Sequence, residues 1–441
     1  MAVRVRRPAV PSGSRPFHIT GPSGHAMESS TPEPGTKENA GTIAILGGGP
    51  SGLVLAIALA RRGLSSTVFE RDVHPDAAPR FNPDRSYTID ISGHGLKALR
   101  HIDACGEFDD RMIRFKGLKI PGRGTEEWTL PGWTGSRGDI LRALMAVLEK
   151  YGDLVTTEFE TRVESADPSS GSLTVAAKSE LPTTRTFDLI VGADGAGSTI
   201  RAALQEQIAG FTVTAKSFPN YCTMIELDKV GNRLDENYLH GLSTRPFCVA
   251  GATKGDEGSP SARWFCAVGT KKEIKFSSAD EARRFLRERC PRVLEFAGDG
   301  QVEAFAQRTC YHIGRSLNCS QFHGGKAVLI GDAAAPYPPI GQGVNGAMES
   351  AMTLDQCISA AGSTPDQLPV AAARYTAVWK PEADAVSWIS ERSLFENRFH
   401  TVRALATSMV GLSIFAQAKS AEVPYSEVRR KAERLWPLWA R

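Results

Sequence analysis

The chain has 441 residues, of which 41% are hydrophobic and 23% charged, and it carries a formal net charge of +3. This length exceeds one ordinary hydrophobic core, so we expect two or more domains. The small net charge gives no reason to expect a nucleic-acid or anionic-membrane partner, and eight cysteines without a C-x-x-C pair argue against a metal site.

Residues 1–40 are predicted to form a disordered leader and linker. Residues 1–27 contain four arginines, four prolines and no acidic residue. An Arg-rich, acid-poor leader is typical of an organelle transit peptide, whereas the prolines would interrupt its amphipathic helix. We therefore expect a cytoplasmic protein, with organelle targeting as the alternative. No run reaches the roughly 18 apolar residues of a transmembrane span, so no transmembrane segment is expected.

The segment TIAILGGGPSGLVLAIALARRGLSSTVFERD (residues 42–72) has the pattern strand, turn, helix, strand. Short apolar runs predict strands over Thr42–Leu46 and Ser65–Phe69. The helix between them, Ser51–Arg62, is apolar on nearly all sides and is expected to be buried.

Glycines in this segment follow the dinucleotide-binding pattern G-x-G-x-x-G. Gly47 permits the tight turn, Gly49 lets the backbone approach a pyrophosphate, and Gly52 allows the helix to pack closely on the strand. Pro50 and Ser51 begin that helix, whose N–H groups point at the phosphates.

Glu70 ends the second strand of this segment. A carboxylate at this place can accept hydrogen bonds from ribose hydroxyls. It would repel an adenosine 2′-phosphate, so NADP fits this turn poorly. The pattern predicts a dinucleotide site but does not distinguish FAD from NAD.

Two later strands also end in turns that carry an aspartate. In FDLIVGADGAGSTIR (residues 187–201), the strand Asp188–Val191 precedes Asp194. In KAVLIGDAAAPYPPIGQGVNGAMES (residues 326–350), the strand Ala327–Ile330 precedes Asp332, and a long helix begins near Gly343. Taken singly, each would be an ordinary turn.

Together and in this order, the three turns resemble those of the group A flavoprotein monooxygenases, the family of para-hydroxybenzoate hydroxylase. The resemblance spans roughly residues 42–360. It implies that the first turn holds the FAD pyrophosphate, that Asp194 serves FAD and the nicotinamide donor, and that Asp332 binds the ribityl chain. It further implies that Arg137 contacts FAD and that Arg71 lies near the adenosine and pyrophosphate.

Within that family, four blocks look like kynurenine 3-monooxygenases: RSYTIDISGHGLKALR (85–100), SRGDILRAL (136–144), NYLH (237–240) and GQGVNGAMES (341–350). By this resemblance the cofactor contacts include Gly341, Gln342, Gly343, Val344 and Asn345, with Asn345 beside the isoalloxazine ring.

The catalytic positions implied by the resemblance are Pro338, Gly341 and Asn345, with the Pro338 carbonyl assisting proton movement. The chain departs from its relatives at Ala335, where many family members have a histidine, and at Gly132–Trp133, near the place of a tyrosine in kynurenine monooxygenases. The resemblance therefore leaves the substrate open.

The expected fold class is α/β, with a Rossmann-like FAD-binding domain, an inserted, mainly antiparallel substrate domain and a helical C-terminus. Alternating stretches such as YCTMIEL and RWFCAVGT predict the inserted sheet. The predicted ranges are 41–115, 135–205 and 320–365 for the FAD-binding domain, 116–134 and 206–319 for the substrate domain, and 366–441 for the helical region.

The resemblance implies an NAD(P)H-dependent FAD monooxygenase that hydroxylates an aromatic or other electron-rich small molecule with O2, through a flavin C4a-hydroperoxide. NADPH and NADH both remain open as electron donors. The alternatives are a reductase of the geranylgeranyl-reductase type and a non-catalytic flavin- or nucleotide-binding protein. A flavin-dependent halogenase is disfavoured because no W-x-W-x-I-P motif occurs.

Overall fold

The computed structural model of the protein describes residues 40–82, 87–120, 124–178, 180–256, 259, 261–393, 414–419 and 423–435. The leader predicted over residues 1–40 therefore lies, apart from residue 40, outside the described residues.

The helices of these residues run in chain order as follows: α1 Pro50–Arg61, α2 His94–His101, α3 Cys105–Arg111, α4 Arg137–Leu148, α5 Thr199–Gln207, α6 Ala279–Arg289, α7 Pro291–Leu294, α8 Asp299–Gln307, α9 Gly331–Ala334, α10 Gly343–Ala361, α11 Gln367–Ser393, α12 Ile414–Ala418 and α13 Tyr425–Leu435. A 3₁₀ turn over Glu149–Tyr151 follows α4.

The strands are β1 Ile43–Leu46, β2 Ser66–Phe69, β3 Ile89–Ile91, β4 Ile113–Ile120, β5 Gly124–Gly135, β6 Val155–Glu158, β7 Thr161–Asp167, β8 Ser172–Ala177, β9 Thr183–Thr186, β10 Leu189–Gly192, β11 Val213–Ser217, β12 Tyr221–Leu227, β13 Tyr238–Thr244, β14 Phe247–Thr253, β15 Arg263–Thr270, β16 Tyr311–His312, β17 Arg315–Cys319, β18 His323–Gly324 and β19 Ala327–Leu329.

One sheet has the strand order β18-β19-β10-β1-β2-β6 and is parallel except at the β18–β19 edge. Its central strands are fully buried, as the continuous apolar runs of a parallel sheet require. Because β1, β10 and β19 are neighbours and parallel, the turns that follow them lie at one edge of the sheet. This edge is where open α/β sheets bind ligands.

Helix α1 is buried on all sides, because it lies against the parallel sheet and beside α10 and α4. The burial explains why its sequence lacks a polar face. Asp355 of α10 forms polar contacts with residues at the C-terminal ends of α1 and α2. Its Oδ1 accepts hydrogen bonds from Nε and Nη2 of Arg62 at 2.9 and 2.6 Å, and its Oδ2 lies 2.8 Å from Nε2 of His101.

A second, mainly antiparallel sheet has the order β16-β12-β15-β14-β13-β4-β5-β3, with β13 and β4 parallel. One face of it packs on α6, α7 and α8 around a core that includes Ile225, Cys266, Leu286 and Phe305. The short strand β3 falls within the range predicted for the FAD-binding domain, yet it pairs with β5 in this sheet. The chain therefore crosses between the two sheets at β3, beside the turns of the first sheet.

Smaller antiparallel ladders join β7, β8 and β9, and β11 with β17. The C-terminal helices α11 and α13 pack on one another and α11 packs on α10. Among the described residues, no helix is both long enough and apolar enough to cross a membrane.

Replacement of Asp355 by alanine tests the helix contacts. Its side chain is 3% exposed, so the change leaves a partly buried Arg62 guanidinium without its carboxylate. We expect the free energy of unfolding to fall by about 2–4 kcal/mol, measured by urea denaturation. The control Glu273→Ala removes a surface partner of Lys275 and should cost less than about 1 kcal/mol. Equal losses in the two variants would contradict this role of Asp355.

Candidate functional site

Two glycines at the turn after β1, Gly47 and Gly52, leave no room for a side chain. Gly47 has φ +105°, and a Cβ placed on it would lie 2.5 Å from the carbonyl oxygen of Ala193. A Cβ on Gly52 would lie 2.0 Å from the carbonyl oxygen of Gly47. Both positions therefore require glycine, because real Cβ atoms do not approach backbone oxygens so closely.

Gly49 differs, since the space in front of it is open. Among the described residues, a Cβ there would find one atom within 4 Å, Nη2 of Arg137 at 4.0 Å. Gly49 is also the N-cap of α1, which has Pro50 at its first position, a buried Ser51 and no side-chain cap. The first N–H groups of α1 thus face an open space that a guanidinium borders, which suits a pyrophosphate.

Arg137 is held in place by the start of α4. The Ser136 hydroxyl accepts a hydrogen bond from the Asp139 N–H at 3.1 Å, and the Asp139 carboxylate accepts one from the Ser136 N–H at 2.9 Å. This capping box fixes the first turn of the helix. Arg80 adds a contact of 3.2 Å to the same carboxylate. Arg137 itself is exposed and is therefore available to an anion.

Glu70 is fixed at the end of β2 by two backbone hydrogen bonds. Its Oε2 accepts from Gly48 N at 2.7 Å and its Oε1 from Asp72 N at 2.9 Å. A carboxylate oxygen has a second lone pair, so hydroxyl donors can still bind here. The neighbouring Arg71 is exposed, with its backbone in a bend after the strand.

Asp194, after β10, has one partnered and one unpartnered oxygen. Its Oδ2 accepts a hydrogen bond from Thr199 N at 2.7 Å, while its Oδ1 is buried with no partner among the described residues. Burial raises the pKa of this carboxyl above its usual value. A buried acceptor without a donor is costly, and a ligand hydroxyl or N–H group at this position would relieve the cost.

Arg201 joins the second turn to the third, a contact that the sequence analysis did not anticipate. Its side chain is buried and donates to the carbonyl oxygens of Ala196, after β10, and Ala333, after β19. The guanidinium therefore fixes the distance between the two aspartate-bearing turns.

Asp332 lies in α9, directly after β19. It is exposed to solvent, yet the protein around it raises the pKa of its carboxyl, and Arg137 and Arg201 act against this rise. Tyr87, just before β3, is 46% exposed. The protein around its hydroxyl raises the pKa of that group, Arg137 lowers it, and Asp332 and Cys222 raise it further. Because Arg137, Asp332 and Tyr87 are all exposed and lie near one another, they border a solvent-open space, which is called the cleft below.

The antiparallel sheet presents an apolar wall, which contains Val249 and Ala267, on the face opposite its helices, and the Arg263–Glu226 ion pair lies at one end of that face. Cys248, Cys266 and Val268 point into the helix-covered core and are fully buried. Because side chains alternate along a strand, Val249 and Ala267 point the other way, where both are half-buried. Cys222 of β12 lies on this same face by register.

The turn before α10 comprises Gly341 and Gln342 and leaves the N-terminus of that helix open. Gly341 has φ +77° and is exposed, Gln342 is fully buried, and α10 begins at Gly343 without a side-chain cap. No described atom lies within 4 Å of a Cβ placed on Gly343, and Val344 after it is half-buried. A second helix N-terminus therefore faces open space, which suits negative charge on a ligand.

Asn345 is buried and its side chain contacts backbone. Its Oδ1 accepts from Ser92 N at 3.0 Å, and its Nδ2 donates to the carbonyl oxygens of Asp90 and Gly341 at 2.9 and 3.1 Å. This side chain therefore acts on the site by joining β3 to the turn. The carbonyl of Pro338, also predicted as catalytic, accepts a hydrogen bond from the Ser390 hydroxyl of α11.

A buried polar cluster packs against the turn before α10 through a hydrogen bond to Gln342. Tyr425 donates to Oε1 of Gln342 at 3.0 Å and stacks on His94 with ring centroids 3.9 Å apart. Nδ1 of His94 lies 2.5 Å from Oε2 of Glu349, whose Oε1 accepts from Lys97 at 2.8 Å. Burial would raise the pKa of Glu349, but His94 and Lys97 outweigh it and hold that pKa below its usual value.

A family model described as an FAD binding domain matches residues 41–363. The kynurenine 3-monooxygenase of Salinispora tropica is 26% identical over 421 residues, which cover 89% of this chain and 91% of the relative. Among solved structures, 2-methyl-3-hydroxypyridine-5-carboxylic acid oxygenase aligns with a TM-score of 0.62 and 19% identity over 88% of this chain and 96% of its own. A triple mutant of a flavin-dependent brominase aligns with a TM-score of 0.65 and 14% identity, over 90% of this chain and 100% of its own. Likeness at such identities shows a shared fold.

The variants Gly49→Ala and Gly52→Ala should separate the effect of an added methyl group on FAD affinity from its effect on the free energy of unfolding. The Gly52 variant should lose about 3 kcal/mol of unfolding free energy, because its methyl group overlaps a backbone oxygen. The Gly49 variant should lose less than about 1 kcal/mol as a poorer N-cap, yet bind FAD about ten- to a hundredfold more weakly. Urea denaturation and FAD fluorescence measure the two effects.

The control Gly300→Ala lies in α8, where no described atom beyond the neighbouring helix backbone lies within 4 Å of the new methyl group, so it should lower neither quantity. Unchanged FAD affinity in the Gly49 variant would contradict a pyrophosphate site at this turn.

Glu349→Gln should make the free energy of unfolding depend less on pH in the acid range. Because the folded pKa of Glu349 is lowered, its ionised form stabilises the protein above the unfolded pKa, and this contribution is lost as pH falls through the folded pKa. The stability difference between wild type and variant should therefore be largest above about pH 5 and shrink towards about pH 3. Urea denaturation across this range measures it, with the exposed Glu303→Gln as control. A difference independent of pH would contradict the role of the cluster.

Proposed function

The chain belongs to the FAD-binding-domain family, and on that premise we propose that it is an FAD-dependent monooxygenase that hydroxylates an aromatic or other electron-rich small molecule. The observation that carries the proposal is that the N-termini of α1 and α10 both face open space, with the exposed Arg137 beside the first. The antiparallel sheet adds apolar side chains, Val249 and Ala267, of the kind that a site for an aromatic ring requires.

The described residues fit FAD. The open N-terminus of α1 and Arg137 suit the pyrophosphate, Glu70 suits the adenosine ribose, and Asp332 suits the ribityl hydroxyls. The buried, unpartnered Oδ1 of Asp194 offers a further acceptor. Bound FAD supplies the redox chemistry, which comprises electron acceptance from NADPH or NADH and activation of O2.

The protein's own part is to position, shield and stabilise charge. The N-terminal N–H groups of α10, beginning at Gly343, present a positive dipole end to negative charge that develops during reduction. Gly341 adopts the positive φ that the turn requires, and the hydrogen bonds of Asn345 and Ser390 hold the Gly341 and Pro338 carbonyls in place. Val249 and Ala267 keep water from one side of the cleft.

Kynurenine is the first substrate to test, because the kynurenine 3-monooxygenases of Salinispora tropica and Salinispora arenicola each align over 89% of the chain. It combines an aromatic amine with a charged amino-acid group. We propose that the ring lies against the wall formed by Val249 and Ala267.

Turnover in ¹⁸O₂ with NADPH and kynurenine tests the proposal. Substrate-stimulated oxidation of NADPH and a product that carries one ¹⁸O atom are the expected results. A product that has gained hydrogen without oxygen would indicate a reductase. If neither kynurenine nor a panel of aromatic amines and phenols gives a labelled product with the flavin bound, the monooxygenase proposal is wrong.

Ala267→Trp tests the apolar wall. The larger side chain should fill the cleft and reduce kcat/KM at least about tenfold, while FAD stays bound. Steady-state kinetics and the flavin absorbance measure both effects. The control Val370→Trp lies on an exposed part of α11 and should leave both unchanged. Full activity in the Ala267 variant would show that the substrate binds elsewhere.

A further inference from the structure

Lys419, which follows α12, is a buried lysine outside the segment matched by the family model. Its side chain is 5% exposed. Lysine is almost never buried unless it is paired, because removing the ammonium group from water is costly. A buried lysine therefore points to a specific use of its charge.

The ammonium group lies between a carboxylate and an aromatic ring. Its Nζ is 3.5 Å from Oδ2 of Asp90, whose side chain is 6% exposed, and 4.0 Å from the ring centroid of Trp128. Burial holds the pKa of Lys419 below its usual value, although Asp90 and then Glu126 act to raise it. The cation–π contact and the ion pair oppose the effect of burial and favour the charged form.

The ion pair is packed against the turn that precedes α10. A Cβ placed on Gly341 would lie 3.1 Å from Oδ1 of Asp90 and 3.2 Å from Nζ of Lys419. The backbone carbonyl of Asp90 also accepts the hydrogen bond from Asn345. Lys419, β3 and the turn therefore form one contiguous set of contacts.

A second residue of the C-terminal region reaches the same turn independently. Tyr425 of α13 donates to Gln342, next to Gly341. The C-terminal region therefore contacts two consecutive residues of a turn that the family resemblance assigns to the flavin.

We propose that Lys419 is a positioning residue for the flavin site, which holds the Gly341 turn through Asp90 and balances the negative charge of that carboxylate beside the flavin. This inference rests on the proposed placement of the flavin at the turn and is independent of the oxygenation step.

The charge balance predicts opposite effects for the two partners. Lys419→Met leaves the Asp90 carboxylate uncompensated, which disfavours the anionic form of the two-electron-reduced flavin. Asp90→Asn removes a negative charge beside the ammonium, makes the surroundings of the turn more positive and favours that form. The double variant restores neutrality.

The experiment is a measurement of the reduction potential of bound FAD at pH 7, by equilibration of each purified holoprotein with a redox dye. Lys419→Met should lower the potential, Asp90→Asn should raise it, and the double variant should return close to wild type. Lys419→Arg, which keeps the charge, should stay closer to wild type than Lys419→Met. The control Lys216→Met removes an exposed partner of Glu391 and should leave the potential unchanged.

Shifts of the same sign in both single variants, or no shift in either, would overturn the proposal. If Lys419→Met does not fold, the Asp90→Asn and Lys419→Arg arms decide the question alone. No substrate or oxygen takes part in the titration. Failure of hydroxylation therefore leaves this result intact, and failure here leaves the monooxygenase proposal standing.

Discussion

The turn after β1 is built where three backbone segments approach too closely for side chains. The carbonyl of Gly47 lies against the start of α1, and the Ala193 carbonyl of the neighbouring turn lies against Gly47. This close approach places the unpaired N–H groups of α1 at the carboxyl edge of the parallel sheet. The rest of the site is arranged around that edge, since β10 and β19 bring Asp194 and Asp332 to it.

Polar side chains fix the distances between these turns. Arg201 links the turn after β10 to the turn after β19, and Asn345 links β3 to the turn before α10. Buried hydrogen bonds of this kind define one geometry, because breaking them leaves unsatisfied groups in a medium of low dielectric constant. In the proposed site, the apolar side chains of the antiparallel sheet lie on the other side of the cleft.

The local parts of this arrangement could be predicted from the sequence, and the long-range parts could not. The α/β fold class and a dinucleotide site follow from short motifs, because a strand, a glycine turn and a helix N-terminus are encoded within about a dozen residues. FAD as the cofactor follows from the resemblance of the three turns to those of a known family. Arg201 is the last residue of the segment 187–201, but its hydrogen bond to the Ala333 carbonyl joins residues that are 132 positions apart in the chain. The approach of Lys419 to Asp90 joins chain segments even further apart, and no local pattern marks it. Strand β3 shows the same limit. A strand of three residues carries too little periodicity to reveal its partner.

The central claim is that FAD extends from the N-terminus of α1 to the N-terminus of α10. A crystal structure of the protein with bound FAD tests it most directly. The claim predicts the pyrophosphate within hydrogen-bonding distance of the α1 N–H groups and Arg137, the ribityl chain at Asp332, and the flavin ring between Gly343 and the apolar wall that contains Ala267. A flavin ring away from the α10 N-terminus, or density for FAD outside this cleft, would contradict it.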